Sequence, residues 1–185
     1  TLDITYPSAP LFLKYNPELV NAMLRPILFF AQTDKWQYEF APHDIGQYPL
    51  ANGQVYGYEK TNPDDILAMQ MPVEECGNML ISLYAVIKYG GNRDVADKNK
   101  QILKQWADYL VKYGYDPGEQ LCTDDFASHM AHNCNLSIKA ILGIAAYGKI
   151  FSDKNYVDIA EEYAKKWQLE SKGKQASRLA FDKED

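Results

Sequence analysis

The chain has 185 residues, 46% of them hydrophobic and 24% charged, which is enough for one domain with its own core. Its net charge of −6 and its pI of about 5.1 argue against a nucleic-acid-binding surface. No apolar run approaches the roughly 20 residues of a membrane span. Three cysteines form neither a disulfide framework nor a zinc motif. We therefore expect partners that include neither nucleic acid nor a membrane.

Five segments carry apolar residues at helical spacing, and no segment carries the alternation of a strand, so the sequence predicts an all-α fold. In chain order the predicted helices cover residues 17–32, 72–89, 97–113, 135–150 and 154–168. The second and fourth are apolar on nearly every side, which is typical of buried helices. The third and fifth carry a single apolar stripe and are expected in an outer layer.

The connections between these helices alternate in the same way. Links from an inner to an outer helix are short, whereas residues 33–70 and 114–133 make long links back to an inner helix. This repeat of inner and outer helices is the pattern of helical hairpins in a toroid or an α-solenoid. Thr1 begins no signal peptide and the chain has no initiator Met, so we expect a piece of a longer protein.

Polar side chains concentrate in the long links and at the starts of the inner helices, where the hairpin arrangement would bring them to one face. The candidate site residues are His43, Asp44, Glu74, Glu75, Asn78, Asp124, Asp125, His129, His132 and Asn133.

The four acids at helix starts are candidates for general acid or base catalysis. A carboxyl group beside a buried helix can have a raised pKa, which suits Glu74, Glu75, Asp124 and Asp125 to proton transfer. First-turn acids are also common simply because they stabilise the positive end of a helix or cap it. Both interpretations stay open from the sequence.

The histidines and amides are candidates for positioning a substrate, and the alternative is that they only complete backbone hydrogen bonds near helix starts. His129 and His132 are three residues apart and could share a helix face with Asp125, which would also suit a metal. Because no recognised metal signature is present, we expect no metal and no cofactor.

The sequence does not identify a nucleophile for covalent catalysis. Cys76, Thr123, Ser128 and Cys134 lie in the polar clusters and would each need a nearby base. A water molecule activated by a carboxylate is the alternative.

Five stretches of the chain, residues 40–46, 71–79, 121–127, 132–147 and 179–183, resemble the glutaminase A family. Members of that family are large secreted proteins with a six-hairpin, glycosidase-like helical toroid. The resemblance implies an all-α fold of alternating inner and outer helical hairpins, part of an (α/α)6 toroid-like domain. Residues 1–185 would form one partial domain, with residues 171–185 as a loop leading toward a next hairpin.

The resemblance also implies hydrolysis of L-glutamine to L-glutamate and ammonia, and a secreted or periplasmic location. We expect a small-molecule substrate, glutamine or a related polar compound, and contacts with the remainder of the full-length chain. The isolated fragment is expected to be inactive and to self-associate through uncovered inner-helix surface. The alternatives are a glycoside hydrolase that uses paired carboxylates and a non-catalytic helical scaffold.

Overall fold

A computed structural model describes residues 1–47, 68–123 and 129–183. Over these ranges it contains seven helices and no strand, so the predicted all-α fold is confirmed. The helices are α1 (Leu2–Tyr15), α2 (Pro17–Phe30), α3 (Pro72–Lys88), α4 (Asp94–Lys98), α5 (Lys100–Tyr113), α6 (Cys134–Phe151) and α7 (Lys154–Glu170).

The helices form an inner layer of α1, α3 and α6 and an outer layer of α2, α5 and α7. Helix α3 packs against α1 and α6 on its two sides and against the outer helices α2 and α5. Helix α6 packs in turn against α3, α5 and α7. The inner helices α3 and α6 bury most of their residues, whereas α7 fully buries only Tyr156 and Ala160. The predicted alternation of inner and outer helices is therefore confirmed.

Helix α1 was not predicted, because its sequence contains prolines inside the helix. Pro7 and Pro10 each lack the backbone N–H of an internal helical hydrogen bond, so the segment reads as a helix breaker. Burial of Leu2, Ala9 and Leu13 against the neighbouring helices stabilises it nonetheless. The chain thus contributes a third inner helix, and α1 carries side chains to the face where the long links meet.

The close approach of α3 and α6 depends on two glycines at their crossing. A Cβ atom at Gly143 would lie 3.1 Å from the backbone of Gly77 and 2.7 Å from Leu110 Cδ1. A Cβ atom at Gly77 would lie 2.6 Å from Lys139 Cγ. Since real Cβ atoms are almost never found so close to other heavy atoms, the two glycines allow the inner helices to touch and seat the stem of Lys139 against α3.

Two predicted helix boundaries differ from the structure. The predicted helix over residues 97–113 is divided at Asn99 into α4 and α5. The sequence is also compatible with a fourth predicted helix that extends back from residue 135 toward Asp125, but α6 begins at Cys134, after an Asn133 side chain that accepts hydrogen bonds from the first-turn N–H groups.

Among the described helices, α6 is long and apolar enough to cross a membrane by length and composition alone. A core helix meets the same criterion, and α6 is packed against α3, α5 and α7. One stripe of α6 is open, with Leu142 51% exposed, and α1 likewise exposes Ile4 and Leu11. Helices α1 and α6, which lie on either side of α3 in the inner layer, therefore leave apolar side chains exposed to solvent.

Candidate functional site

Three residues from separate elements form an acid–histidine cluster (Asp3, His43 and Glu75) beside the first turn of α3. The Leu2 N–H donates to the His43 carbonyl oxygen at 3.0 Å, which fastens the loop to the start of α1. His43 Nε2 lies 3.4 Å from Asp3 Oδ1, and His43 Nδ1 lies 3.9 Å from Asp44 Oδ2. The imidazole is thus held, almost wholly buried, between two carboxylates.

Glu75 lies on the α3 side of this cluster and is fully buried. Its Oε2 accepts a hydrogen bond from Asn78 Nδ2 at 2.8 Å, while its Oε1 has no hydrogen-bond partner among the described residues. Burial raises the pKa of Glu75 well above its ordinary value, and the negative charges of Glu74 and Asp3 add to the effect. The Asn78 hydrogen bond and the Lys139 charge act in the opposite direction without cancelling it.

The pKa of Asp3 shifts in the opposite direction to that of Glu75, although burial acts on both residues. Burial alone would raise its pKa, but the side chains of His43 and Thr1 stabilise the carboxylate, so the pKa of Asp3 falls below its ordinary value. The cluster therefore pairs one carboxylate that keeps its charge with a second carboxyl group that burial disfavours as an anion.

Glu74 contacts different partners from those of Glu75 and links the inner helices α3 and α6. Its Oε1 accepts a hydrogen bond from Lys139 Nζ at 2.5 Å, and its Oε2 accepts the Thr123 N–H at 2.8 Å. The Lys139 ammonium also lies 4.4 Å from the centroid of the Tyr6 ring on α1. This buried ion pair links α1, α3, α6 and the loop before α6.

The loop before α6 carries a second polar cluster, which contacts the first turn of α3 and consists of Gln120, Cys122, Thr123, His129, His132 and Asn133. Gln120 Oε1 accepts the Val73 N–H at 2.9 Å, so the loop after α5 lies across the start of α3. Asn133 caps α6 and donates weakly to Cys122 Sγ at 3.8 Å. Thr123 follows directly and donates to Glu74, so the link between α5 and α6 lies against the first turn of α3.

The histidines of the second cluster lie apart from the acid–histidine cluster. His129 Nε2 lies 2.6 Å from the Ala68 carbonyl oxygen, and His132 Nδ1 lies 2.8 Å from Asp116 Oδ1. His129 and His132 both precede α6 and lie outside any helix, so these two histidines do not share a helix face. The Asp116 hydrogen bond and charge, with a smaller effect of Asp182, raise the pKa of His132.

Asp124 and Asp125 lie outside the described residues, as does Ser128. The prediction that these acids act in catalysis therefore stays a prediction.

The cysteines are poor candidates for a nucleophile. Cys76 is fully buried, and burial raises its pKa far above its ordinary value despite a hydrogen bond from the Ala41 N–H. Burial also raises the pKa of Cys134 to about 11. Neither side chain forms an appreciable thiolate near neutral pH, so Thr123, Ser128 and an activated water molecule stay the candidate nucleophiles.

Asp3, Tyr6 and Lys139 were not predicted as site residues. Asp3 and Tyr6 lie on helix α1, which the sequence did not predict, and Lys139 lies in a predicted inner helix without a role assigned to it. The position of Lys139 within an otherwise apolar helix could have indicated its role, because a buried ammonium group needs a carboxylate partner.

A cavity of about 410 Å³ lies elsewhere, along the outer helix α5. None of its lining residues belongs to the predicted site. They are Glu39, Gln101, Lys104, Gln105, Asp108, Tyr109, Lys112 and Tyr113.

Comparison with known proteins identifies relatives of the whole chain. It is 36% identical over 176 residues to "Glutaminase A" of Aspergillus oryzae, a match that covers 91% of this chain and 24% of that protein. It is 26% identical over 232 residues to "Probable glutaminase" of Arthroderma benhamiae, covering 91% of this chain and 26% of that protein. The chain thus spans about a quarter of the length of these relatives. No solved structure matches it.

The match to a sequence family is equally extensive. The model of the "Glutaminase A six helical-hairpin domain" matches residues 1–185. The hairpins of inner and outer helices described above agree with that description. The chain belongs to the glutaminase A six helical-hairpin domain family.

Proposed function

We propose that the full-length protein carrying this chain is an amidohydrolase that converts L-glutamine to L-glutamate and ammonia. The observation that carries the proposal is the meeting of the acid–histidine cluster with the Glu74–Lys139 ion pair at the starts of the inner helices. Family membership and the names of the relatives support the choice of an amide as substrate.

Hydrolysis of an amide requires a nucleophile at the carbonyl carbon and a proton for the departing amine. With the thiols held as neutral groups, the proposed nucleophile is water. Within the described residues, Glu75 and His43 are the candidates to handle protons on that water and on the departing amine. Asn78 and Asp44 are positioning residues, since each lies against one of these two groups.

Glu74 has a different role in this proposal from the one expected of a free catalytic acid. Both its carboxylate oxygens accept hydrogen bonds, one from Lys139 and the other from Thr123. It therefore holds the loop before α6 against α3, and Asp124, Asp125, His129, His132 and Asn133 stay candidates because that loop carries them.

The paired acids at the start of α3 do not support the glycoside hydrolase alternative. Such an enzyme needs two carboxyl groups on opposite sides of a cleft. Glu74 and Glu75 are adjacent on one helix, and Glu74 is already engaged by Lys139 and Thr123.

The test is ammonia release by the purified full-length protein from L-glutamine, with an oligosaccharide panel assayed in parallel. We expect ammonia from glutamine and no reducing sugar from the panel. The variant His43→Ala should lower kcat by about 100-fold or more, which is the usual effect of losing a proton-transfer group. Asp158→Asn is the matched control, because Asp158 pairs with Lys154 on the exposed side of α7.

Absence of ammonia above the blank from the wild-type protein would rule out the glutaminase proposal. Sugar release without ammonia would favour the glycosidase alternative. A His43→Ala protein that turns over glutamine as fast as Asp158→Asn would place the chemistry elsewhere.

A further inference from the structure

The acid–histidine cluster has the composition and spacing of a cation site. Asp3, His43 and Glu75 each offer one ligand atom, and the three atoms lie within 4.8 Å of one another. Ligands that bind zinc tetrahedrally at about 2.0–2.2 Å lie roughly 3.4 Å apart. The 3.4 Å between His43 Nε2 and Asp3 Oδ1 matches that separation, and the longer distances require only a small inward movement.

The cluster also contains a carboxylate oxygen that no hydrogen-bond donor satisfies. Glu75 Oε1 is buried and makes no hydrogen bond in the described structure, whereas Asp3 Oδ1 has His43 Nε2 at 3.4 Å. A buried polar atom without a partner costs free energy, and most such atoms in proteins are satisfied by a hydrogen bond, water or an ion. The imidazole lies beside Asp3 Oδ1, but it supplies nothing to Glu75 Oε1.

We infer that Asp3, His43 and Glu75 bind one divalent cation of the kind that accepts mixed carboxylate and imidazole ligands, such as Zn²⁺.

The charge of the ligand set agrees with this site. Metals bind carboxylates and the neutral imidazole, so Asp3, Glu75 and His43 would together bring a net charge of −2 to a bound cation, which a divalent cation neutralises.

The residues around the three ligands are arranged as metal sites require. Asn78 donates to the second oxygen of Glu75 at 2.8 Å. Hydrogen bonds of this kind to a ligating carboxylate orient it toward the metal. The Leu2 N–H to His43 carbonyl bond fixes the backbone that carries two of the ligands.

Zn²⁺ and Mn²⁺ suit this ligand set better than Mg²⁺ and Ca²⁺, which prefer oxygen ligands alone. The sequence predicted no metal because it contains no recognised metal signature, and the three ligands proposed here lie far apart in the chain. Three protein ligands leave one position of a tetrahedral zinc ion for water. A water bound there would serve the proposed amide hydrolysis, but cation binding stands without that reaction.

The test uses the full-length protein, stripped with EDTA, exchanged into metal-free buffer and titrated calorimetrically with ZnCl₂, MnCl₂, MgCl₂ or CaCl₂. Metal content of the protein as purified is measured by mass spectrometry. We expect one equivalent of Zn²⁺ or Mn²⁺ per chain and no stoichiometric binding of Mg²⁺ or Ca²⁺. A rise in the melting temperature on adding the bound metal to wild-type protein is a second readout that needs no variant.

Variants then identify the ligands. Asp3→Asn and Glu75→Gln should each weaken binding by more than about 100-fold, and Asn78→Ala by about 10- to 100-fold, as expected for an outer contact. Asp158→Asn should bind like wild type, because its carboxylate is exposed on α7. Circular dichroism confirms that each variant is folded.

Failure of all four cations to bind, or binding of Mg²⁺ or Ca²⁺ alone, would overturn the inference. So would Zn²⁺ binding that survives both Asp3→Asn and Glu75→Gln. Ammonia release by metal-free protein that binds no cation would overturn the cation site and leave the proposed function standing. Stoichiometric Zn²⁺ binding without ammonia release would support the cation site and contradict the proposed function.

Discussion

Replacing Lys139 with methionine removes the cation that partners Glu74 between α3 and α6. The side chains of Lys139 and Glu74 are only 17% and 5% exposed, and their charged atoms lie 2.5 Å apart. Methionine keeps most of the aliphatic stem that packs against Gly77 and loses only the charge. The substitution therefore leaves a buried carboxylate without its counter-charge.

The free-energy cost of Lys139→Met depends on the hydrogen bond that Glu74 keeps with Thr123. Breaking a buried ion pair from one side typically costs about 3–5 kcal/mol. The Thr123 N–H continues to donate to Glu74 at 2.8 Å, which places the expected cost near the lower end, about 3 kcal/mol. For a domain of this size that corresponds to a fall in melting temperature of about 6–12 °C.

The assay is thermal unfolding of the full-length protein, with the single variants Lys139→Met and Glu74→Gln and the double variant. Glu74→Gln removes the charge but keeps an acceptor for the Thr123 N–H, so the double variant should be more stable than Lys139→Met alone. Lys154→Met, which breaks an exposed pair, is the control and should change the melting temperature little. A Lys139→Met protein as stable as wild type, or strictly additive single effects, would refute the assigned pairing.

Three further predictions concern packing, pH and reactivity. Gly143→Ala should destabilise the protein by about 1–3 kcal/mol in denaturant titrations, because the new Cβ would meet the backbone of Gly77 at 3.1 Å. The His132–Asp116 pair should stabilise the fold fully below about pH 6.5 and progressively less as pH rises through the raised folded-state pKa of His132, detectable by comparing pH–stability curves of wild type and Asp116→Asn. Cys76 should resist thiol reagents in native protein at pH 7 and react only on unfolding, as mass spectrometry of alkylated protein would show.

For each of these three predictions, a specific result would contradict it. Gly118→Ala is the control for Gly143→Ala, since a Cβ there meets nothing within 4 Å. Equal stability of the two glycine variants would contradict the tight crossing of α3 and α6. Parallel pH–stability curves for wild type and Asp116→Asn would show that the His132 pair contributes nothing. Fast alkylation of Cys76 in native protein would show that the interior near Ala41 opens readily.

The inner and outer layers could be predicted from sequence because burial leaves a direct mark on residue pattern. Helix α6 has apolar residues on nearly every side, whereas α7 has them along one side only, so the two residue patterns differ in every turn. Helix α1 could not be predicted in this way, since Pro7 and Pro10 oppose local helix formation and only packing against α2 and α3 offsets their effect. Local propensity and tertiary packing disagree there, and packing decides the outcome.

The candidate site was predicted where its residues are local in sequence and missed where they are not. Glu75 and Asn78 stand one helical turn apart and could be paired from the sequence. The contacts of His43 with Asp3, and of Lys139 with Glu74, join residues far apart in the chain, and only the arrangement of the inner helices reveals them.

The most direct test of the proposed site is the kcat of Glu75→Gln on L-glutamine, measured at saturating substrate in the full-length protein. Glutamine at position 75 keeps the shape and the Asn78 contact, but it can neither exchange a proton nor bind a cation as a carboxylate. We predict a fall in kcat of at least about 100-fold, with Asp158→Asn unchanged. A Glu75→Gln protein that hydrolyses glutamine at the wild-type rate would contradict a site at the acid–histidine cluster.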